Sequence, residues 1–199
     1  GIMMGQQGRF TNASICDGTW ADMALDPVPS DFTGEPVPTE RSKVTLARVM
    51  GVMDANNYGD VHGGVIMRSV DEAGAVAAVR HSNGPAVTAF MDQMAFLEPV
   101  KLGDLLTTRA QVNWSGRTSM EVGIRVTVQR MGLEGEVHVA TAHLVFVAID
   151  AQGRPRPVPP VQPETEHDRL RFQEAQIRRT SRLERRAAIK RLREQGLDS

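Results

Sequence analysis

Between Asp54 and Arg80 the chain reads DANNYGDVHGGVIMRSVDEAGAVAAVR. Asp71 is the residue that stands out, a carboxylate inside a strongly apolar run. Such a group is costly unless it is solvated, paired or put to use. Arg68 and Glu72 lie four apart and can satisfy each other on a helix, which leaves Asp71 spare. Gly63-Gly64 stands about two helical turns earlier, on the same side. Free backbone N–H groups at a helix start, with the positive end of the helix dipole, suit a carbonyl that develops negative charge. A glycine pair there also allows tight packing, and on spacing alone that is the simpler account. His62 reads as a base or as support for the glycine loop. Asn56 reads as turn chemistry, and His81 as a cation at a helix end.

Positioning these groups requires a helix from Gly64 to Arg80. Its apolar residues, Val65, Ile66, Met67, Val70, Ala73 and Ala75–Val79, cover nearly every side, so the helix is expected to be wrapped almost completely. The wrapping is supplied by segments rich in Val, Thr and Ile: Lys43–Met50, Val87–Leu97, Asp104–Trp114, Thr118–Arg130 and Gly135–Ile149. Thr118–Arg130 alternates most clearly. Met120, Val122, Ile124, Val126 and Val128 fall on one face, and Ser119, Glu121, Gly123, Arg125 and Thr127 on the other. One buried helix and about five long strands predict an antiparallel sheet curled round a helix, an α+β fold.

The rest of the 199-residue chain divides by composition. Residues 1–42, rich in proline and acidic, predict an extended or disordered arm. Residues 43–160 form the domain. Gly153–Pro163 carries five prolines and predicts an extended segment. Residues 161–199 predict a charged, basic C-terminal helix with a broken apolar stripe, of the kind found as a solvated face or an oligomer arm. The net charge of −1 gives no pull towards nucleic acid. No apolar run spans a membrane. Cys16 is the single cysteine and the N-terminus lacks the apolar core of a signal peptide, so a cytoplasmic location is expected. There is no GxSxG elbow, Walker loop or dinucleotide GxGxxG, and no zinc spacing.

The combination of DAN, HGG, the helical Asp-Glu-Ala-Gly and the turn GRTS resembles the signature of hotdog-fold acyl-CoA thioesterases. The likeness is to the brain-type cytosolic acyl-CoA hydrolases and their single-domain bacterial relatives. FLEPVKLGDLLTTRAQVNWSGRTSMEVGIRV and VFVAIDAQGRPRPVPP extend it over roughly residues 43–160. The resemblance implies a hotdog fold, in which a five-stranded antiparallel sheet wraps a long central helix. It implies homodimers joined edge to edge and assembled as a hexamer, a trimer of dimers. It also implies hydrolysis of fatty acyl-CoA to acid and CoA, with no cofactor and no metal.

In that reading Asp71 is general base or nucleophile. Asn56 comes from the other subunit, Gly64 with Gly63 holds the thioester oxygen, and His62 shapes the loop. CoA phosphates are assigned to the turn Gly116, Arg117, Thr118 and Ser119, with Arg80 and Arg156 as further candidates. Met67, Met91, Met94, Phe90 and Phe96 line an acyl tunnel or are plain core. A non-catalytic acyl-CoA-binding sensor is the alternative. A hotdog hydratase fits less well, since no histidine follows the aspartate by five residues.

Overall fold

The structure is a computed structural model, and it describes residues 34–197. In chain order the elements are β1 (Val37–Pro38), α1 (Thr39–Ser42), β2 (Val44–Val49), α2 (Gly63–Ser82), β3 (Ala86–Phe96), β4 (Leu105–Ser115), β5 (Ser119–Gln129), β6 (Val137–Ala148), β7 (Val161–Gln162) and α3 (Glu166–Leu197). A 3-10 turn, Val52–Asp54, follows β2. The main sheet is antiparallel, in the order β2-β4-β5-β6-β3. It is the helix-in-a-sheet arrangement expected from the sequence.

α2 packs on the inner face of that sheet. Met120, Val122, Ile124, Val126 and Val128 are all buried there, as the alternation of β5 requires. They meet Ile66, Val70, Ala73 and Ala77 of the helix in one core. Gly74 is fixed by that packing. A Cβ at this position would stand 2.9 Å from the ring of Phe146, so only glycine lets β6 come so close. The helix is not wrapped on all sides, however. Met67 and Val79 remain exposed, because one sheet covers one side of a helix. α2 ends at Asn83, which takes the left-handed conformation of a helix C-cap. His81 is not a solvent-facing cation at that end. It is fully buried, its Nε2 lies 2.9 Å from the Pro159 carbonyl, and burial pushes its pKa below the usual imidazole value.

The opposite face of the sheet is also covered, which the sequence did not lead us to expect. α3 lies across it instead of standing free. Gln111 Nε2 of β4 donates to Asp168 (3.2 Å). Arg178 pairs with Glu121 of β5 (2.7 Å), and Arg182 with Asp92 of β3 (2.5 Å). Glu121 is only 1% exposed. Arg179 and Arg182 also lie over the rings of Trp114 and Phe90. Phe90 is thereby placed on the outer face, away from any acyl tunnel beside α2.

The N-terminal arm docks at its end. β1 pairs in parallel with β7, and Thr39 and Ser42 of α1 are buried, Ser42 Oγ accepting the Val112 N–H. The folded unit therefore begins near Val37 rather than at residue 43. The remainder of the arm, with Cys16, lies outside the described residues. No helix among the described residues is long and apolar enough to cross a membrane.

Candidate active site

The loop before α2 is held by an ion pair. Arg48 at the end of β2 donates through Nη2 to both carboxylate oxygens of Asp54 (2.6 Å each), and Asp54 also accepts the Gly51 N–H. The Arg48 guanidinium holds this carboxyl below the usual aspartate value. The backbone carbonyl of Asp54 then accepts the His62 N–H. The two ends of the DAN…HGG loop are thus clamped together around residues 55–61.

Asn56 closes the loop from within. Its Oδ1 accepts the N–H groups of Tyr58 (2.8 Å) and Asp60 (3.1 Å), an Asx turn. Within the chain no hydrogen bond joins Asn56 to Asp71. The same loop leaves Val52, Met53 and Tyr58 exposed, Tyr58 at 92%. Exposed apolar groups so close together in sequence are of the kind found at contact surfaces.

Gly63 and Gly64 open α2 as expected, but the Gly64 amide is already engaged. It donates to Nδ1 of His62 at 2.9 Å, which makes His62 the N-cap of the helix. The imidazole is therefore an acceptor that satisfies a helix-start amide, and the loop-shaping role is the one the geometry supports. Phe96 of β3 lies over Gly63, close to where a Cβ would be (3.7 Å).

Asp71 lies on the sheet-facing side of α2, partly buried. Arg68 pairs with Glu72 (2.8 Å), which leaves Asp71 free of the helix as its spacing predicted. Its partner is Thr88 of β3, whose Oγ1 donates to Asp71 Oδ1 at 2.5 Å. The sequence reading missed Thr88. A β-bulge between Thr88 and Phe90 re-aims this part of the strand, and nothing in a Val/Thr-rich strand distinguishes one threonine from the next. The bond holds one carboxylate oxygen and leaves the other for chemistry.

The residues assigned to CoA fare less well within one chain. Thr118 and Ser119 are buried in the β4–β5 turn, 4% and 1% exposed, and present no open hydroxyl. Gly116 N–H donates to the Ser119 carbonyl and the Arg117 carbonyl accepts the Val158 N–H, so this turn is built into the fold. Arg117 is half-buried. Arg156 donates to the carbonyls of Ile149 and Ser82 (3.1 and 2.9 Å) and serves as a brace under the end of α2. Arg80 is exposed and donates to the Lys43 carbonyl.

Comparison with known proteins identifies the family to which the chain belongs. The thioesterase superfamily profile matches residues 58–134. An uncharacterized acyl-CoA thioester hydrolase of Bacillus subtilis is 36% identical over 65% of this chain and 75% of its own. The cytosolic acyl coenzyme A thioester hydrolase of mouse is 31% identical over 72% of this chain, which corresponds to 38% of the longer mouse protein. Among solved structures, a hexameric acyl-CoA thioesterase superposes with a TM-score of 0.74 at 34% identity, covering 77% of this chain and 98% of its own. A Staphylococcus aureus acyl-CoA hydrolase bound to coenzyme A superposes at 0.76 and 30% identity, over 83% and 99%. The protein is thus one of the hotdog-fold hydrolases of the thioesterase superfamily. More closely, the chain belongs to the acyl-CoA thioesterase family. The Staphylococcus aureus enzyme has been solved with an Asn, an Asp and a Thr each replaced by Ala, fifteen and then seventeen positions apart. Asn56, Asp71 and Thr88 stand in the same order at the same intervals.

Proposed function

We propose that this protein hydrolyses acyl-CoA thioesters to the free carboxylic acid and CoA, in a site built by Asp71, Thr88 and the Gly64 amide of one subunit and Asn56 of a second. The observation that carries the reading is the Asp71–Thr88 pair, on the helix that a Gly-Gly opens and at the same spacing as residues substituted in the Staphylococcus aureus hydrolase.

In this reading each group has a task. Thr88 fixes the carboxylate by one oxygen. The other oxygen takes a proton from water as the water oxygen adds to the thioester carbon, or itself adds to that carbon to give an anhydride that water then opens. In both routes the C–S bond breaks, the thiolate of CoA leaves and takes up a proton, and the acid is released. The thioester oxygen gains charge at the N-terminus of α2. There it competes with His62 Nδ1 for the Gly64 N–H, so the donor becomes available when the imidazole turns away. Asn56 is fixed by its own loop and reaches Asp71 only across a subunit boundary. The exposed Val52, Met53 and Tyr58 beside it supply the contact surface.

That boundary is the free edge of β3, which among the described residues pairs only with β6. Edge-to-edge pairing there gives a homodimer, and the hexameric relative supports three such dimers. The reaction so written calls for no resident cofactor. We place it in the cytoplasm, in fatty acid metabolism, with no nucleic-acid partner. The CoA phosphates then fall to Arg117 and Arg80 at the subunit boundary.

The test is release of free thiol from palmitoyl-CoA and acetyl-CoA. Asp71→Ala is expected to lower turnover about a hundredfold or more, with the fold and assembly kept. Turnover unchanged in that variant removes Asp71 from the mechanism. Wild-type protein that binds acyl-CoA and releases no thiol is a sensor instead. A single turnover in ¹⁸O-labelled water separates the two routes: label found in Asp71 marks it as nucleophile.

A further inference from the structure

A groove of about 540 Å³ runs between α3 and the outer face of the sheet, on the side away from Asp71. Its floor includes Gly123, Arg125 and His143, which alternate along β5 and β6 with Ile124, Ala142 and Leu144 of the inner core. Lys43, Arg109, Arg125 and Arg171 line it, against the single carboxylate of Glu174.

Two of these cations are already committed. Lys43 pairs with Glu40 (2.6 Å), and Arg109 pairs through both nitrogens with Glu136. Arg125 and Arg171 form no ion pair with any described residue. Arg125 is moreover the direct cross-strand partner of Arg109. Like charges placed opposite each other in a sheet call for a counter-charge, and Glu136 supplies part of it, its carboxyl being held low by Arg109 and, less strongly, by Arg125. Beside them, His143 presents an Nδ1 that is buried without a protein partner, a group that ordinarily finds one. The imidazole stays neutral, because burial and then the Arg178 charge lower its pKa to about 4.

We propose that this groove binds a phosphate-bearing anion, with Arg125 on the sheet and Arg171 on the helix as its two charged walls and the His143 ring on the floor between them. Guanidinium groups suit phosphoryl oxygens because they offer paired N–H donors with a permanent charge. The site is separate from the thioester chemistry, since the whole thickness of the sheet divides them.

The experiment is a calorimetric titration of the full chain with inorganic pyrophosphate at low salt. Wild type and Asp71→Ala are expected to bind one pyrophosphate per chain with the same affinity, which weakens as salt is added. Arg125→Ala/Arg171→Ala is expected to bind about tenfold or more weakly, and Arg125→Lys/Arg171→Lys to recover part of the loss. Hydrolysis of palmitoyl-CoA measured without pyrophosphate is expected to be unchanged in the double alanine variant. Co-sedimentation with phosphatidylcholine vesicles, with and without phosphatidylglycerol, identifies the source. Sedimentation that needs phosphatidylglycerol and both arginines assigns the anion to a lipid headgroup. Pyrophosphate binding without sedimentation assigns it to a free phosphate. No binding of pyrophosphate at millimolar concentration, or equal binding by the double alanine variant, overturns the proposal. So does a raised KM for acyl-CoA in that variant together with displacement of pyrophosphate by CoA, which returns both arginines to the substrate site. Loss of hydrolysis in Asp71→Ala bears on the thioesterase reading alone.

Discussion

The two faces of the central sheet are held by different forces. The inner face meets α2 through Val, Ile, Ala and Phe side chains, each removed from water at a gain of roughly 25 cal/mol per Å² of apolar surface. The outer face meets α3 through Arg178–Glu121, Arg182–Asp92 and Gln111–Asp168. There the attraction between opposite charges is largely offset by the cost of taking them out of water. Glu121 shows this balance. Burial raises its pKa despite the Arg178 guanidinium beside it, and one of its oxygens has no partner. Burial therefore does not by itself mean stabilisation. The inner contacts add stability, while the outer ones fix where the helix lies.

The largest effect is expected from opening the inner face. Phe146→Ala should destabilise by about 4 kcal/mol, read from urea denaturation, since it leaves a cavity beside Gly74. Less than about 1 kcal/mol would mean that the inner face collapses freely. On the outer face Arg178→Met should cost about 3 kcal/mol, because Glu121 is left buried and alone. Removing both partners, in Glu121→Leu/Arg178→Met, should recover most of that loss. A double variant as unstable as the single one would show that the ion pair itself adds net stability.

Acid probes the same face. The folded state holds His143 with a pKa of about 4, below the unfolded value of about 6.5. Between those values the unfolded chain binds the extra proton, so stability is full above about pH 6.5 and falls as the pH drops. The loss from about pH 7.5 to pH 5 should approach 2 kcal/mol, and His143→Gln should remove that share of it. The buried His81 adds a contribution of the same sign. The smallest effect is expected where neither face is involved. Arg68→Ala breaks only an exposed pair on α2, and any measurable shift of the urea midpoint would contradict that.

The difference between the faces also explains what the sequence made legible. Periodicity assigns Met120, Val122 and Ile124 to one side of a strand and Glu121 and Arg125 to the other. That assignment holds, and the bounds of α2 and the five long strands agree to within about two residues, as helix and strand ends generally do, whereas α3 begins at Glu166 rather than at residue 161. Periodicity carries no information on whether the polar side meets water or a helix. α3 escaped because its sheet-facing residues, Asp168, Arg178 and Arg182, are charged and look like a solvated surface. Asp71 stands out because a spare carboxylate is unusual on so apolar a helix, whereas Asn56 and the glycine pair read locally as turn and packing residues and take a role only through the resemblance to a family. Thr88 could not be found, since its role comes from a bulge in the strand and from a helix that packs above it.

Thr88 lies on the strand whose outer edge is open among the described residues. An open row of backbone donors and acceptors eleven residues long invites another strand to add to it. Whatever closes that row also stiffens the hydroxyl that aims Asp71. Turnover per chain should then depend on protein concentration, falling on dilution as the strand loses its neighbour and its threonine begins to wander.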